Sequence, residues 1–300
     1  MNRIKIIVIF IILILNINCG KTNTKNVYAT LDGISIMNEN EAYVIIDMYV
    51  VDAGAASFGI PAQTGEGDEK REGTYLGKVN FQDNTTKVIK KCGKYCSKIV
   101  CKNNIISLSV SELRAIQFLK ADNYEIIKTV QDGGYLFDFT NDTNKMIIAY
   151  WDIYEYNDIT KLKTILKPFP NKFRDAKYCP TDETVIAYIG ASNTADNLTG
   201  DIYLINNDAT GNTLVLSGYN AIKLCWHPDG NKIIFINENG IYSVEKDGSN
   251  VLFLKNLILP SAYYLLDIYF NLYAYVYYDT SGNESIFNTN FKAEIKTIKF

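Results

Sequence analysis

The sequence predicts an all-β fold in which four-stranded antiparallel sheets repeat along the chain and close into a ring, a β-propeller. Three observations carry that expectation. Helical periodicity is almost absent, while short runs rich in Val, Ile, Tyr and Phe alternate with clusters of Gly, Asn, Asp and Pro. Residues 217–256 hold four such runs in one meander of about 40 residues, the length of a propeller blade. The spacing from Tyr203 to Asp208 recurs from Tyr242 to Asp247, so the segment has a copy upstream.

The amino terminus stands apart from this pattern. In Met1–Asn18, Arg3 and Lys5 precede an apolar run of ten residues, Ile6–Leu15. That is too short to span a bilayer and suits a secretory signal. Cys19 and Gly20 follow. The stretch resembles a bacterial lipoprotein signal, with Asn18 where a small residue is usual, Asn16 where Leu is usual, and Leu15 one position too far back. The resemblance implies a signal peptide over 1–18, a lipidated Cys19 as the mature first residue, and a polar tether over 19–26. It places the protein in the bacterial cell envelope, held by its lipid at the outer membrane or cell surface rather than the inner membrane. An ordinary signal peptide or an uncleaved anchor is the alternative.

Residues 27–300 carry no Pro/Ser-rich linker and are read as one propeller domain of about six four-stranded blades. Blade one spans about 27–92, with strands at Tyr28–Met37, Ala42–Val51, Thr74–Phe81 and Lys87–Lys91. Blade two spans about 93–130, with Lys98–Cys101, Ile105–Val110, Ala115–Leu119 and Tyr124–Val130. Blade three spans about 131–167, with Tyr135–Phe139, Met146–Trp151, Ile153–Tyr156 and Leu162–Leu166. Blade four, about 168–217, has Val185–Tyr188, Asp201–Ile205 and Thr213–Leu216 after a degraded turn motif at Cys179-Pro180. Blade five is the 217–256 meander. Blade six, about 258–300, has Tyr263–Phe270, Leu272–Tyr278, Ser285–Asn290 and Glu294–Phe300. A single meander cannot bury both faces, so stacking on neighbours is what stabilises each one. Both ends hold whole blades, so the ring closes by packing, with no strand exchanged between its ends.

In blade five, Pro228-Asp229-Gly230 and Asp247-Gly248 are tight turns: Pro pre-sets φ, and Asp and Gly tolerate the positions after it. With Trp226, Ile233, Phe235, Ile241, Tyr242 and Val244 they form W-x-P-D-G-x-x-I-x-F followed by I-Y-x-V-x-x-D-G. This resembles the repeat of TolB-type β-propellers, with His227 where that family usually has Ser. The resemblance agrees with the propeller read from the strand pattern.

The loop between a blade's second and third strands shares a face, here called upper, with the connections between blades. Two long insertions fall there, Asp52–Gly73 and Gly190–Gly200. They supply the candidate interaction residues Phe58, Ile60, Pro61, Asn193, Asp196 and Asn197. Tolerated low-complexity insertions are the competing reading, with Glu66–Glu72 a solvated charge run.

Catalytic chemistry is thin. His227 is the single histidine; Cys225 lies two residues before it on one strand face, and two ligands do not make a zinc site. Cys92 and Cys96 are not spaced as C-x-x-C, and Cys101, Cys179 and Cys225 read as small buried hydrophobes near the channel. No G-x-S-x-G elbow, Walker A or dinucleotide fingerprint occurs. Asp208, Asp229 and Asp247 belong to turns. No catalytic, cofactor or metal residue is therefore predicted. The net charge of −3 and scarce Arg argue against nucleic-acid binding. Tyr273, Tyr275 and Tyr277 share a strand face, for packing between blades or as an aromatic platform. The expected role is a non-catalytic scaffold for an envelope protein. A lipoprotein binding carbohydrate or another small ligand is the alternative, and a propeller hydrolase or lyase the second.

Overall fold

The structure is a computed structural model that describes residues 25–52, 69–82, 85–132, 134–149, 152–167, 173–191, 200–256, 263–269, 272–278 and 291–297. Five four-stranded antiparallel sheets follow one another in chain order. Blade one is β1 (Lys25–Asn38), β2 (Glu41–Asp52), β3 (Glu69–Asn80) and β4 (Thr85–Gly93). Blade two is β5 (Cys96–Lys102), β6 (Ile105–Val110), β7 (Ala115–Lys120) and β8 (Ile126–Val130). Blade three is β9 (Tyr135–Phe139), β10 (Lys145–Ala149), β11 (Ile153–Asn157) and β12 (Leu162–Lys167). Blade four is β13 (Phe173–Tyr178), β14 (Val185–Ala191), β15 (Gly200–Asn206) and β16 (Thr213–Ala221). Blade five is β17 (Lys223–Trp226), β18 (Lys232–Ile236), β19 (Gly240–Glu245) and β20 (Leu252–Asn256). A three-stranded sheet completes the chain: β21 (Tyr263–Tyr269), β22 (Leu272–Tyr278) and β23 (Phe291–Thr297).

The expectation of about six four-stranded blades is thus corrected to five, plus the three-stranded sheet. The last segment differs because Phe291–Thr297 pairs directly with β22, from Tyr278 opposite Phe291 to Leu272 opposite Thr297. It takes the third place in its sheet, where the sequence pattern put a fourth strand. The expected strand at Ser285–Asn290 lies outside the described residues.

The innermost strands follow one another round an axis, each packing on the next, and β21 packs on β1. Five junctions share one device, in which a side-chain oxygen accepts a backbone N–H from the next innermost strand. Ser35 Oγ accepts from Cys101 (2.9 Å), and Ser109 Oγ on β6 from Leu136 (3.2 Å). Asp138 Oδ2 accepts from Tyr178 (2.9 Å), and Asp175 Oδ2 from Leu224 (3.2 Å). Asp267 Oδ2 accepts from Ile36 (2.9 Å), which joins the last sheet to the first. These bonds satisfy the open edges of the central strands.

Hydrophobic cores lie between blades rather than within them. Phe118 and Val130 of blade two meet Phe139, Met146 and Tyr154 of blade three. Ala187 and Ile202 of blade four meet Trp226, Ile233 and Phe235 of blade five. Inner strands are covered on both faces, so β18 buries four consecutive residues, whereas the outermost β20 leaves Leu252 and Phe253 half exposed.

Lower-face turns repeat a second device. Asp229, Asp247, Asp208 and Asp182 each accept the backbone N–H two residues on, at 2.8–3.1 Å. Asn38, Asn80 and Asn123 do the same in blades one and two. Gly230 and Gly248 lie at φ +71° and +86°, which side chains rarely adopt. A Cβ on Gly230 would meet Thr181 Oγ1 at 2.0 Å and Cys179 Sγ at 2.9 Å, so this turn packs on blade four.

Blade one is taller than the rest. β1, β2 and β3 run 14, 12 and 12 residues, against five to seven for the innermost two strands of blade three and blade two. Within β3, β4 pairs only with Thr74–Asn80, so 69–73 continue upward against β2 alone. The insertion read as Asp52–Gly73 is therefore shorter, because Glu69–Gly73 belongs to a strand. Buried Asp47 explains why. It ion-pairs with Arg71 and accepts the Thr74 hydroxyl at 2.6 Å, while the Arg71 guanidinium lies 4.3 Å over the Tyr95 ring. Part of the charge run expected to be solvated is thereby drawn into the sheet.

Candidate functional site

The upper face carries a groove of about 830 Å³ between blades two and three. Its floor is a fixed polar network. Asp132, in the connection between the blades, accepts the Tyr154 hydroxyl at 2.5 Å and the Gly134 N–H at 3.1 Å on Oδ1. The Lys163 ammonium lies 2.8 Å from Oδ2 and 4.5 Å over the Tyr154 ring. Burial and the hydrogen bond to Asp132 push the Tyr154 phenol far up, so it stays protonated and donates. A carboxylate holding three donors is not a free base, and the network shapes the groove rather than supplying acid–base chemistry.

Around that floor stand groups suited to contact. Tyr135 and Ile165 are about half exposed, at 52% and 51%. Arg114 sits at φ +46° in the β6–β7 turn, where its N–H bonds Ser111 O at 3.1 Å. A Cβ at Gly134 would meet Ile148 Cγ2 at 2.2 Å and Ala149 O at 2.8 Å, so only glycine lets the connection lie this close to β10. The groove thus joins apolar, cationic and hydroxyl groups on one rim.

The sequence-predicted contact residues Phe58, Ile60, Pro61, Asn193, Asp196 and Asn197 fall outside the described residues, as does Cys19. So do the side chains of Tyr273, Tyr275 and Tyr277. His227 sits in its lower-face turn, with Nδ1 2.9 Å from Asp229 Oδ1, and its carbonyl accepts the Gly230 N–H at 2.9 Å. Pro228, Asp229, Gly230, Asp247 and Gly248 all occupy turns. Cys96, Cys101, Cys179 and Cys225 are buried and Cys92 is half-buried, and none of the five is in a disulfide. Among the described residues no three His, Cys, Asp or Glu side chains are grouped to hold a metal.

The innermost strands also bring charge to the axis: Lys98 on β5, Asp138 on β9, Asp175 and Lys177 on β13, Lys223 on β17 and Asp267 on β21. Burial pushes the Asp175 carboxyl up, but Lys223, Lys177 and Lys98 outweigh it and hold it below the ordinary carboxylate range. Burial wins at Asp267 and raises it, against Lys223 and Lys177. Sequence reading missed both the groove and this cluster. The sequence's one pointer is Asp132 beside Gly133-Gly134, residue types that suit a turn between blades.

No protein-family model matches the chain, and no curated protein matches its sequence. Solved structures do match. A chain of a mitotic checkpoint complex aligns with a TM-score of 0.51 at 13% identity, over 88% of this chain and 86% of that one. The Neurospora crassa Pan2 WD40 domain aligns at 0.48 and 11% identity, over 82% and 86%. A putative TolB from Agrobacterium tumefaciens aligns at 0.47 and 11% identity, over 78% and 89%. Strand order, ring closure and the likeness to the checkpoint-complex chain agree, and the chain is a β-propeller.

Proposed function

We propose that this chain is a non-catalytic protein-interaction propeller of the bacterial cell envelope, tethered through lipid on Cys19, whose upper-face groove receives a segment of an envelope protein. The observation that carries the reading is the groove itself. It is wide enough for several side chains, rimmed by Tyr135, Ile165 and Arg114, and its one carboxylate–phenol–ammonium network is already internally satisfied. Propellers found within assemblies, such as the checkpoint-complex chain, make a binding role consistent with the fold.

Pull-down from an envelope extract tests it. The wild-type chain should retain a partner through salt washing that Arg114→Glu and Tyr135→Ala lose, while the lower-face variant Ile159→Glu keeps it. Equal recovery by all four would refute the groove as the interface. Metabolic labelling with palmitate tests the tether, and incorporation that persists in Cys19→Ala would refute it.

A further inference from the structure

We propose that a pocket in blade five binds a sugar, seating one pyranose ring against Tyr219 and Tyr242 with its hydroxyls on Asn220, Glu238 and Asn239. This inference is separate from the groove between blades two and three and does not depend on it. The pocket measures about 260 Å³ and lies on the upper face, between the connection from blade four to blade five and the β18–β19 turn. That is just below the range of about 300–1,000 Å³ usual for a drug-sized ligand, and suits a single ring.

The walls of the pocket are fixed. Buried Asn237 ties them together: its Nδ2 donates to Tyr219 O at 2.9 Å, while its Oδ1 accepts the Asn239 and Gly240 N–H groups at 2.9 and 3.0 Å. Asp201 Oδ1 accepts the Gly218 N–H at 3.0 Å. Gly218 and Asn220, at φ +78° and +53°, bend the chain on either side of Tyr219. The Tyr219 ring stands 5.6 Å from Tyr242 at 76° and 5.8 Å from Phe235 at 90°. Tyr242 stacks on Phe235 at 5.4 Å and meets Phe253 edge-on at 5.3 Å. Tyr219 is exposed and Tyr242 half-buried, so rings already held by neighbouring rings are what a ligand meets. Little side-chain freedom is left to lose on binding.

The lining chemistry selects the ligand class. Among the described residues, the side chains of Asn220, Glu238 and Asn239 and the Tyr219 and Tyr242 hydroxyls have no hydrogen-bond partner. An amide both donates and accepts, and a carboxylate accepts on two oxygens, so together they match the paired hydroxyls of a pyranose. The aromatic rings can cover the C–H face that the same sugar leaves apolar. No Lys or Arg lines the pocket, so an anionic ligand would meet Glu238 without a counter-charge. Glycoside hydrolysis ordinarily takes a pair of carboxylates, and the pocket lining holds Glu238 alone, so the site binds without cutting.

Saturation-transfer difference NMR with the methyl glycosides of glucose, galactose, mannose and N-acetylglucosamine tests the site. The wild-type chain should transfer saturation to the ring protons of at least one of them, and no transfer to any of the four overturns the proposal. A millimolar site should also raise the melting temperature by about 3 °C at about 50 mM of that glycoside. Asn220→Gly suits the positive φ and removes only the amide; combined with Glu238→Ala it should weaken binding about tenfold. Tyr219→Ala should abolish the transfer, while Arg114→Glu, in the groove, should leave it unchanged. Undiminished binding in Asn220→Gly/Glu238→Ala, or its loss in Arg114→Glu, overturns the assignment to this pocket. Partner capture reads the groove separately, so either proposal can fail while the other stands.

Discussion

Gly230→Ala measures how firmly a lower-face turn is clamped on the neighbouring blade. The substitution has two separable costs. At φ +71° an L-residue loses roughly 1–2 kcal/mol to backbone sterics. The new methyl must also displace Thr181 Oγ1, 2.0 Å from its ideal position, and press on Cys179 Sγ at 2.9 Å, overpacking worth about 1–3 kcal/mol. Gly218→Ala isolates the first cost, because Gly218 has φ +78° and nothing within 4 Å of its would-be Cβ. Urea unfolding should therefore show a loss of about 1–2 kcal/mol for Gly218→Ala and about 2–5 kcal/mol for Gly230→Ala. Adding Thr181→Ala to Gly230→Ala should recover the packing part and leave the backbone part, a coupling of about 1–2 kcal/mol between residues of different blades. Equal losses in the two glycine variants, or zero coupling with Thr181, would refute the claim that the turn is wedged between blades.

Tyr154→Phe deletes the hydroxyl that Asp132 accepts at 2.5 Å and should cost about 1–3 kcal/mol in the same assay; an unchanged midpoint would show that the groove floor adds no stability. Thiol labelling under native conditions should modify Cys92 first, since it is half-buried and the hydrogen bond from the Cys96 thiol lowers it, whereas the four buried thiols should react only on unfolding. Equal rates for all five would contradict the burial described. Asp208 and Asp247 are held below the ordinary carboxylate range by the Thr210 and Ser249 hydroxyls and backbone N–H groups. A depressed carboxyl stabilises the fold above its unfolded value and loses that contribution as pH falls, so stability should decline below about pH 4. Asp208→Asn/Asp247→Asn should flatten that decline, and an identical acid limb would count against the turn bonds.

Blades three to five were legible because their turns are written in residues with strong local preferences. Asp182, Asp208, Asp229 and Asp247 sit where a carboxylate must accept the N–H two residues later, and Gly230 and Gly248 where φ must be positive. Blades one and two use Asn38, Asn80 and Asn123 for the same bond, a weaker signal in the sequence. The last sheet was misread because Phe291–Thr297 has strand character but no turn residue that fixes its partner. The sites were less legible still. Lys98, Lys177 and Lys223 are far apart in the chain and take innermost positions round one axis only because the ring closes. Asp132 reads as a loop residue until blade three delivers Tyr154 and Lys163 to it.

Blade one is the tallest sheet among the described residues. Five residues of β3 rise without a fourth-strand neighbour, about 16 Å at strand spacing, above the four-stranded part of their own sheet. Its rim carries Glu72, an exposed charge that discourages another strand from zipping on. Those five residues are paired on one flank only, by β2, so the other flank is an open strand edge.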